Sequence, residues 1–480
     1  MPVNRRHFVT GLALAGIPAN LPAADPVPAA SDAVQAHDVT RALARYVIAA
    51  KPEDLPEPVR KSAARTLLNW MGCAVGGSRH ETVDIAVSAL APFSGPAQAT
   101  VLGRKERLDI LNASLINGIA SHIFDYDDTH LRTVIHPAGP VASAILALSE
   151  YHPVSGRDFV NALVLGVEVE CRIGNAVYPS HYDAGWHITG TTGVFGAAAA
   201  AGKILGLSEQ HMLWALGLAA TQPVGLKEMF GTMTKSFHPG RAAQNGLTAA
   251  LLAAKGFTSS EQPLEAKNGW VRAVSTSHNY AEITEKLGRT YEISLNTYKP
   301  YACGVVIHPA IDGCIQLRNQ YTLTADQIDR VDLRVHPLVL ELTGKKTPQT
   351  GLEGKFSIYF AAALAIVQGA AGEKEFSDKL VRDPVIVALR DRVTATPDPT
   401  VGEEAVRITI TLKDGRRLEK SVEHAIGSLQ NPMPDSALES KFLDLATAAL
   451  PAAKARKLLD LCWTIEKLPA ASALAKAAAA

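Results

Sequence analysis

Val406-Arg407-Ile408-Thr409-Ile410-Thr411-Leu412-Lys413-Asp414-Gly415, with Leu418 and Val422 just beyond, decides the fold. Apolar residues alternate with polar ones at a period of two, and Asp-Gly then supplies the residue types of a tight turn, so the stretch predicts a β-hairpin. Val331, Leu333 and Val335 alternate in the same way, and Ile358 to Val367 between them reads as a buried helix. Residues 295–428 are therefore expected to form a small α+β unit.

Outside that window the pattern is helical. After a Pro/Ala-rich linker to about residue 35, helices are predicted for Pro52–Gly76, Ala138–Glu150, Asp158–Val177, Thr191–Leu205, Ser208–Ala220 and Arg241–Lys255. Gly206 and Gly256 read as left-handed stops. Helices return at Ser440–Leu450 and Ala452–Ile465, and Ala471–Ala480 reads as a small-residue tail without a role. The expected fold class is mainly α, a large all-helical domain plus a smaller α+β lid domain.

Composition narrows the function. The 480 residues carry 47 Lys+Arg against 47 Asp+Glu. A net charge of zero argues against a general nucleic-acid or membrane-surface binder, since both depend on excess positive charge. Hydrophobic content of 47% with 20% charged residues excludes wholesale disorder, and the alanine surplus favours close-packed helices. The five cysteines form no C-x-x-C pair, so buried free thiols are expected rather than a disulfide scaffold or zinc site.

The N-terminus reads as an address. Arg5-Arg6-His7-Phe8 precedes the short apolar run Gly11–Ile17, and Pro22-Ala23-Ala24 offers a small-residue cleavage region. This is the layout of a twin-arginine signal, so residues 1–35 are assigned to a signal peptide and linker, with a periplasmic destination. The run is too short to cross a bilayer.

Five polar clusters could carry chemistry. Asp125-Tyr126-Asp127-Asp128-Thr129-His130 with His136 packs three carboxylates and two histidines into a dozen residues. Like charges at that density shift one another's pKa values, which suggests a site wall with Asp125, Thr129 and His136 aimed inward. A solvated loop capping the next helix is the structural alternative. In Gly185-Trp186-His187, His187 precedes a helix start, where free N–H groups favour an anion and keep an imidazole neutral. Lys235 and His238 stand before the helix that opens at Arg241; Lys235 suits either a substrate carboxylate or, if desolvated, an acid–base role, and an exposed basic turn is the structural alternative. Tyr301, Cys303 and His308 lie at the junction of the helical and mixed units, a favoured place for ligands. Lys355-Phe356-Ser357 could serve only as a helix cap. No phosphate loop, H-E-x-x-H helix, serine elbow or dinucleotide fingerprint is present, which leaves cofactor-free acid–base chemistry as the economical reading.

Taken in order, Asn117-Gly118 through His130 and His136-Pro137, Gly185-Trp186-His187, Lys235-Ser236-Phe237-His238-Pro239-Gly240 with Ala242-Ala243, and Lys299-Pro300-Tyr301 to His308-Pro309 resemble the MmgE/PrpD family across residues 36–465. The resemblance implies that residues 36–294 and 429–480 build one helical domain from both ends of the chain, with 295–428 as the lid. It also implies a homodimer, no metal and no organic cofactor. The family's decarboxylase branch places site residues at Asp125, Thr129, His136, His187 and Lys235. A further histidine of that branch falls here on Ala302 or Cys303, a departure that counts against decarboxylation. The expectation is a dehydratase or epimerase acting on a small di- or tricarboxylate, with no nucleic-acid or membrane partner. His136, His187 and Lys235 are the catalytic candidates; Asp125, Thr129, His238, His308 and Tyr301 are the substrate-binding ones. Two rivals stand beside it: a non-catalytic periplasmic carboxylate binder, and a metal-dependent hydrolase built on Asp125, Asp127, Asp128, His130 and His136.

Overall fold

Small residues set the spacing of this mainly helical protein, for which a computed structural model describes residues 38–480. The arginine pair and the apolar run behind it lie outside the described residues. Long helices at Glu57–Gly77, Ile110–His122, Ala138–Tyr151, Gly156–Val177, Ile188–Ile204 and Thr234–Ala254 pack on one another, and Asp435–Ala446 returns to lie on the first of them. Where Ile110–His122 crosses Thr234–Ala254, the backbones touch: a Cβ on Gly240 would lie 2.3 Å from the Leu115 carbonyl oxygen, and one on Gly118 would lie 2.4 Å from Gly240 Cα. This crossing brings His122, at the end of one helix, against Lys235, in the first turn of the other. Gly240→Ala is therefore expected to lower stability by about 3 kcal/mol, high in the overpacking range because backbone cannot rotate away. An unchanged thermal midpoint would show that the two helices do not need this contact.

The mixed part of the chain is built on a four-stranded sheet in the order Val393–Pro397, Ile328–Val335, Val406–Leu412, Arg417–Val422. The first pair is parallel and the others are antiparallel, with Val331 opposite Ile410 and Ile410 opposite Leu418. The hairpin closes with Gly415 at φ 90°, the left-handed backbone that favours glycine in such a turn. Helices His308–Tyr321 and Ile358–Gln368 share an apolar core with the inward residues of this sheet.

Four local expectations need correction. The helix read from Pro52 is broken: a single 3₁₀ turn, Pro52–Asp54, is followed by extended Leu55, because the ring of Pro56 excludes the α conformation from the residue before it. The helix read from Arg241 begins at Thr234 and carries Pro239 inside it, so Lys235 and His238 stand on the helix rather than before it. The helix read from Ser440 spans Asp435–Ala446. The C-terminal stretch is no idle tail: Ser472–Ala478 is a helix that buries Leu474, Ala475 and Ala478, and the Ala478 carbonyl accepts from Gly103 N–H at 2.8 Å. All five cysteines are buried free thiols, as expected.

Candidate active site

The acidic motif is folded into the interior. After the helix Ile110–His122, Asp125 takes left-handed backbone (φ 49°), which its short polar side chain tolerates, and its N–H donates to the His122 carbonyl at 2.9 Å. The chain then runs as a short strand, Asp128–His130, paired antiparallel with Asn296–Tyr298, which ties the acidic motif to the domain-junction motif. Every side chain from Asp125 to His130 is buried. A solvated capping loop is thus not what these residues form.

Three carriers of charge meet at Asp125. Its Oδ1 accepts from Lys235 Nζ at 2.9 Å and from Lys299 Nζ at 2.8 Å, and Lys299 also donates to the carbonyls of Asp125 and Cys303. Lys235 Nζ reaches His122 Nε2 at 3.0 Å, and His122 Nδ1 lies 2.7 Å from Asp127 Oδ2. A carboxylate can only accept, so His122 carries its hydrogen on Nδ1 and receives the Lys235 N–H on Nε2. His136 obeys the same logic: Nδ1 is 2.8 Å from the Asp128 carbonyl oxygen, which leaves Nε2 as a lone pair. Thr189 Oγ1 holds the His136 backbone N–H at 3.1 Å. His187, at the mouth of the helix Ile188–Ile204, pairs with His238 through their Nδ1 atoms at 2.8 Å.

Burial governs the titration of these groups. It holds His136 and His187 well below the usual imidazole range, with the nearby lysines pushing the same way, and takes His238 down to about 4. Burial alone would raise Asp125, but Lys235 and Lys299 overcome it and keep the carboxyl well below its ordinary value. Lys235 is itself lowered by burial against the opposing pull of Asp125. Neutral imidazoles thus face fixed ammonium groups, an arrangement suited to receiving a proton beside a developing anion.

Asp125, Thr129, His136, His187 and Lys235 share one cavity of about 460 Å3, part of it open to solvent, with Lys299, Gly304, Phe230 and Phe356 also on its wall. Lys235 Nζ sits 5.2 Å from the Phe230 ring centroid and 5.6 Å from that of Phe356. His238 stands behind His187 rather than on the wall. His308 lines a neighbouring cavity that has Val134, Lys299, Val305 and Val306 in common with the first, and Tyr301 donates to Asp312 Oδ1 at 3.3 Å, away from both walls. From the junction loop it is Gly304, not Ala302 or Cys303, that reaches the site cavity. Burial pushes the Cys303 thiol far above its ordinary pKa, which removes it as a nucleophile at neutral pH. Ser357 does cap the helix behind it, accepting from Phe360 N–H at 3.1 Å, while Lys355 is buried and donates to the Phe124 and Ala302 carbonyls.

Sequence reasoning missed His122 and the role of Lys299 at Asp125. The available signal for His122 was a lone histidine in the last turn of a helix whose other residues there are small or apolar. Ligand atoms of His122, His136 and His187, and of His122, Asp125, Asp127 and His136, lie within 4.8 Å of one another. Of these atoms, His122 Nε2 and Asp125 Oδ1 are engaged by the Lys235 and Lys299 ammonium groups. The hydrolase set fits less well: His130 points to Thr133 and Glu292, and Asp128 Oδ2 accepts from Asn296 and Ala138 N–H. As they stand, the donors around Asp125 form a lysine–carboxylate–histidine network.

The chain resembles known proteins over most of its length. The chain is similar to cis-aconitate decarboxylase of Aspergillus terreus, 27% identical over 460 residues that make up 90% of this chain and 94% of that protein. It is similar to cis-aconitate decarboxylase of Homo sapiens, 27% identical over 456 residues, 91% of this chain and 93% of the other. It also resembles 2-methylcitrate dehydratase of Cupriavidus necator, 23% identical over 395 residues, 76% and 81% of the two chains. Residues 41–283 match the MmgE/PrpD N-terminal domain and residues 301–465 match the MmgE/PrpD C-terminal domain. By these two matches, which run through both the helical and the mixed parts, the chain belongs to the MmgE/PrpD family.

Proposed function

We propose that this MmgE/PrpD enzyme is a lyase or isomerase that draws a proton from the carbon next to a carboxylate of a small di- or tricarboxylate. The observation that carries the reading is the pairing, on one cavity, of a histidine with a free Nε2 and two lysines shared by one aspartate. The α-proton of a carboxylate is weakly acidic. Its removal breaks the C–H bond, forms N–H on His136 Nε2, and leaves the electron pair spread into the carboxylate, where Lys235 and Lys299 meet the new charge. His187, with Nδ1 accepting from His238 and its hydrogen on Nε2, then delivers that proton to a departing hydroxyl, which leaves as water and completes a dehydration, or to the opposite face of the same carbon, which completes an epimerisation. Loss of the His136 proton to solvent and uptake of one by His187 restore the site.

The test is deuterium uptake, followed by proton NMR, with a panel that includes citrate, 2-methylcitrate and cis-aconitate. Exchange at one carbon is expected, and His136→Gln should slow it by about 10²–10⁴-fold. Saturable binding of these acids without exchange or product would sink the reading in favour of a carboxylate binder. Decarboxylation is the second reading, favoured by the similarity to cis-aconitate decarboxylases over nine-tenths of the chain. Labelled carbon dioxide from carboxyl-labelled cis-aconitate distinguishes it in the same samples. The family resemblance supports a homodimer, checked by light scattering. Arg5-Arg6 and the apolar run behind it support export to the periplasm, checked by cytoplasmic retention of the Arg5→Lys, Arg6→Lys double variant.

A further inference from the structure

Asp127 lines no part of the cavity, yet both of its oxygens lie among the site histidines. Oδ2 holds His122 Nδ1 at 2.7 Å, and through that ring's Nε2 it reaches Lys235. Oδ1 has no hydrogen-bond partner among the described residues and stands 3.4 Å from His136 Nδ1. The side chain is fully buried. A buried carboxylate with one idle oxygen is costly unless something charged arrives beside it.

From this geometry we infer that Asp127 is the positioning residue of the site. One oxygen keeps His122 in the tautomer that accepts from Lys235, and the other is the counter-ion for His136 when that ring becomes charged. The second half rests on the proton-abstraction reading. As the substrate C–H bond breaks and N–H forms on His136 Nε2, the ring turns positive and its Nδ1–H is shared between the Asp128 carbonyl and Asp127 Oδ1. No further reactant is needed, because the proton comes from the substrate and the electron pair stays on it.

Asp127→Asn is nearly isosteric and decides the matter. An amide has one acceptor and one donor end. If its oxygen faces His122, its NH2 faces the His136 Nδ1–H, donor against donor. If it is turned round, His122 must move its hydrogen to Nε2, against the Lys235 ammonium. Either orientation spoils one half of the arrangement. The expected result is a fall in kcat of about 10³–10⁴-fold, the size seen when an aspartate that orients a catalytic histidine loses its charge. KM should stay within about threefold, since the groups proposed to bind the carboxylates are untouched. A merely structural role would appear in the folded fraction or in KM instead.

Neutron diffraction of the wild-type protein at neutral pH provides a measurement that needs no variant to fold. Deuterium is expected on Nδ1 of both His122 and His136 and on Nε2 of neither. Deuterium on Nε2 of His122, or an Asp127→Asn enzyme keeping more than a tenth of kcat, overturns the inference. If the wild type exchanges deuterium into no di- or tricarboxylate, the proposed function fails by itself, and the proton positions still decide whether Asp127 sets the His122 tautomer.

Discussion

Asp125→Asn is expected to abolish measurable turnover and to remove about 3–5 kcal/mol of stability, the cost of leaving a buried charge without its partner. Here the substitution strands two charges. Lys235 and Lys299 both donate to Asp125 Oδ1, at 2.9 and 2.8 Å, and all three side chains are buried. Without the carboxylate, two ammonium groups would face each other across a neutral amide. Lys235 would relax by losing its proton, which burial already favours. The cavity would then lack the fixed positive charge that the carbanion-like state requires. Adding Lys299→Met should return part of the lost stability, because it removes one of the two stranded charges, while activity should stay absent. The measurement is a double-mutant cycle in urea. Additive losses from the two single substitutions would show that Asp125 and Lys299 are not coupled, contrary to the contacts described above.

How much of this was legible beforehand follows from the range of each interaction. Val406 to Val422 announced its hairpin because period-two alternation and a turn residue are local signals. The break before Pro56 and the early start of Thr234–Ala254 were harder. The first depends on a steric effect on the preceding residue, and the second on tertiary packing that tolerates Pro239 within a helix. The residues of the acidic motif could be chosen from their density, but not their partners. That Asp128–His130 would pair with Asn296–Tyr298, some 170 residues on, is a long-range fact without a local trace. His122 was missed for the same reason: alone it is one histidine in an apolar helix, and it becomes informative only when Asp127 and Lys235 close on its two nitrogens. The C-terminal helix was undervalued because alanine carries little pattern, although Leu474 and Ala478 pack fully.

Acid is expected to unfold this protein from below about pH 6, well before carboxylate titration would account for it. His181 and His238 are pushed down to about 4 and His308 to about 3, in each case by burial first. In the unfolded chain each titrates near 6.5. Between those values the unfolded chain takes up protons that the native rings refuse, so stability falls as pH falls, by about 1.4 kcal/mol per pH unit for each such group. Four acids raised by burial oppose the trend. Asp128 and Glu168 are raised to about 7, again by burial, so the native state keeps protons that the unfolded chain sheds above about 4. Their contribution is present at low pH and is lost as pH rises to 7. The histidines win because His80, His122, His136 and His187 are shifted in the same direction, whereas only Glu170 and Glu373 join the opposing side. Urea midpoints measured from pH 7.5 to 5 should therefore decline, and a flat or rising series would refute the balance. Glu170→Gln isolates one opposing group. Both carboxyl oxygens of Glu170 lack hydrogen-bond partners among the described residues, and burial, with the Asp128 charge adding to it, raises its pKa well above the ordinary value. The wild type must keep that group protonated at increasing cost as pH climbs, whereas the amide does not titrate. The stability difference, variant minus wild type, should therefore grow in favour of the variant between pH 5 and 7, by up to about 1.4 kcal/mol per pH unit. A difference independent of pH would mean that Glu170 is ionised in the folded protein, and a buried cation would then have to be sought beside it.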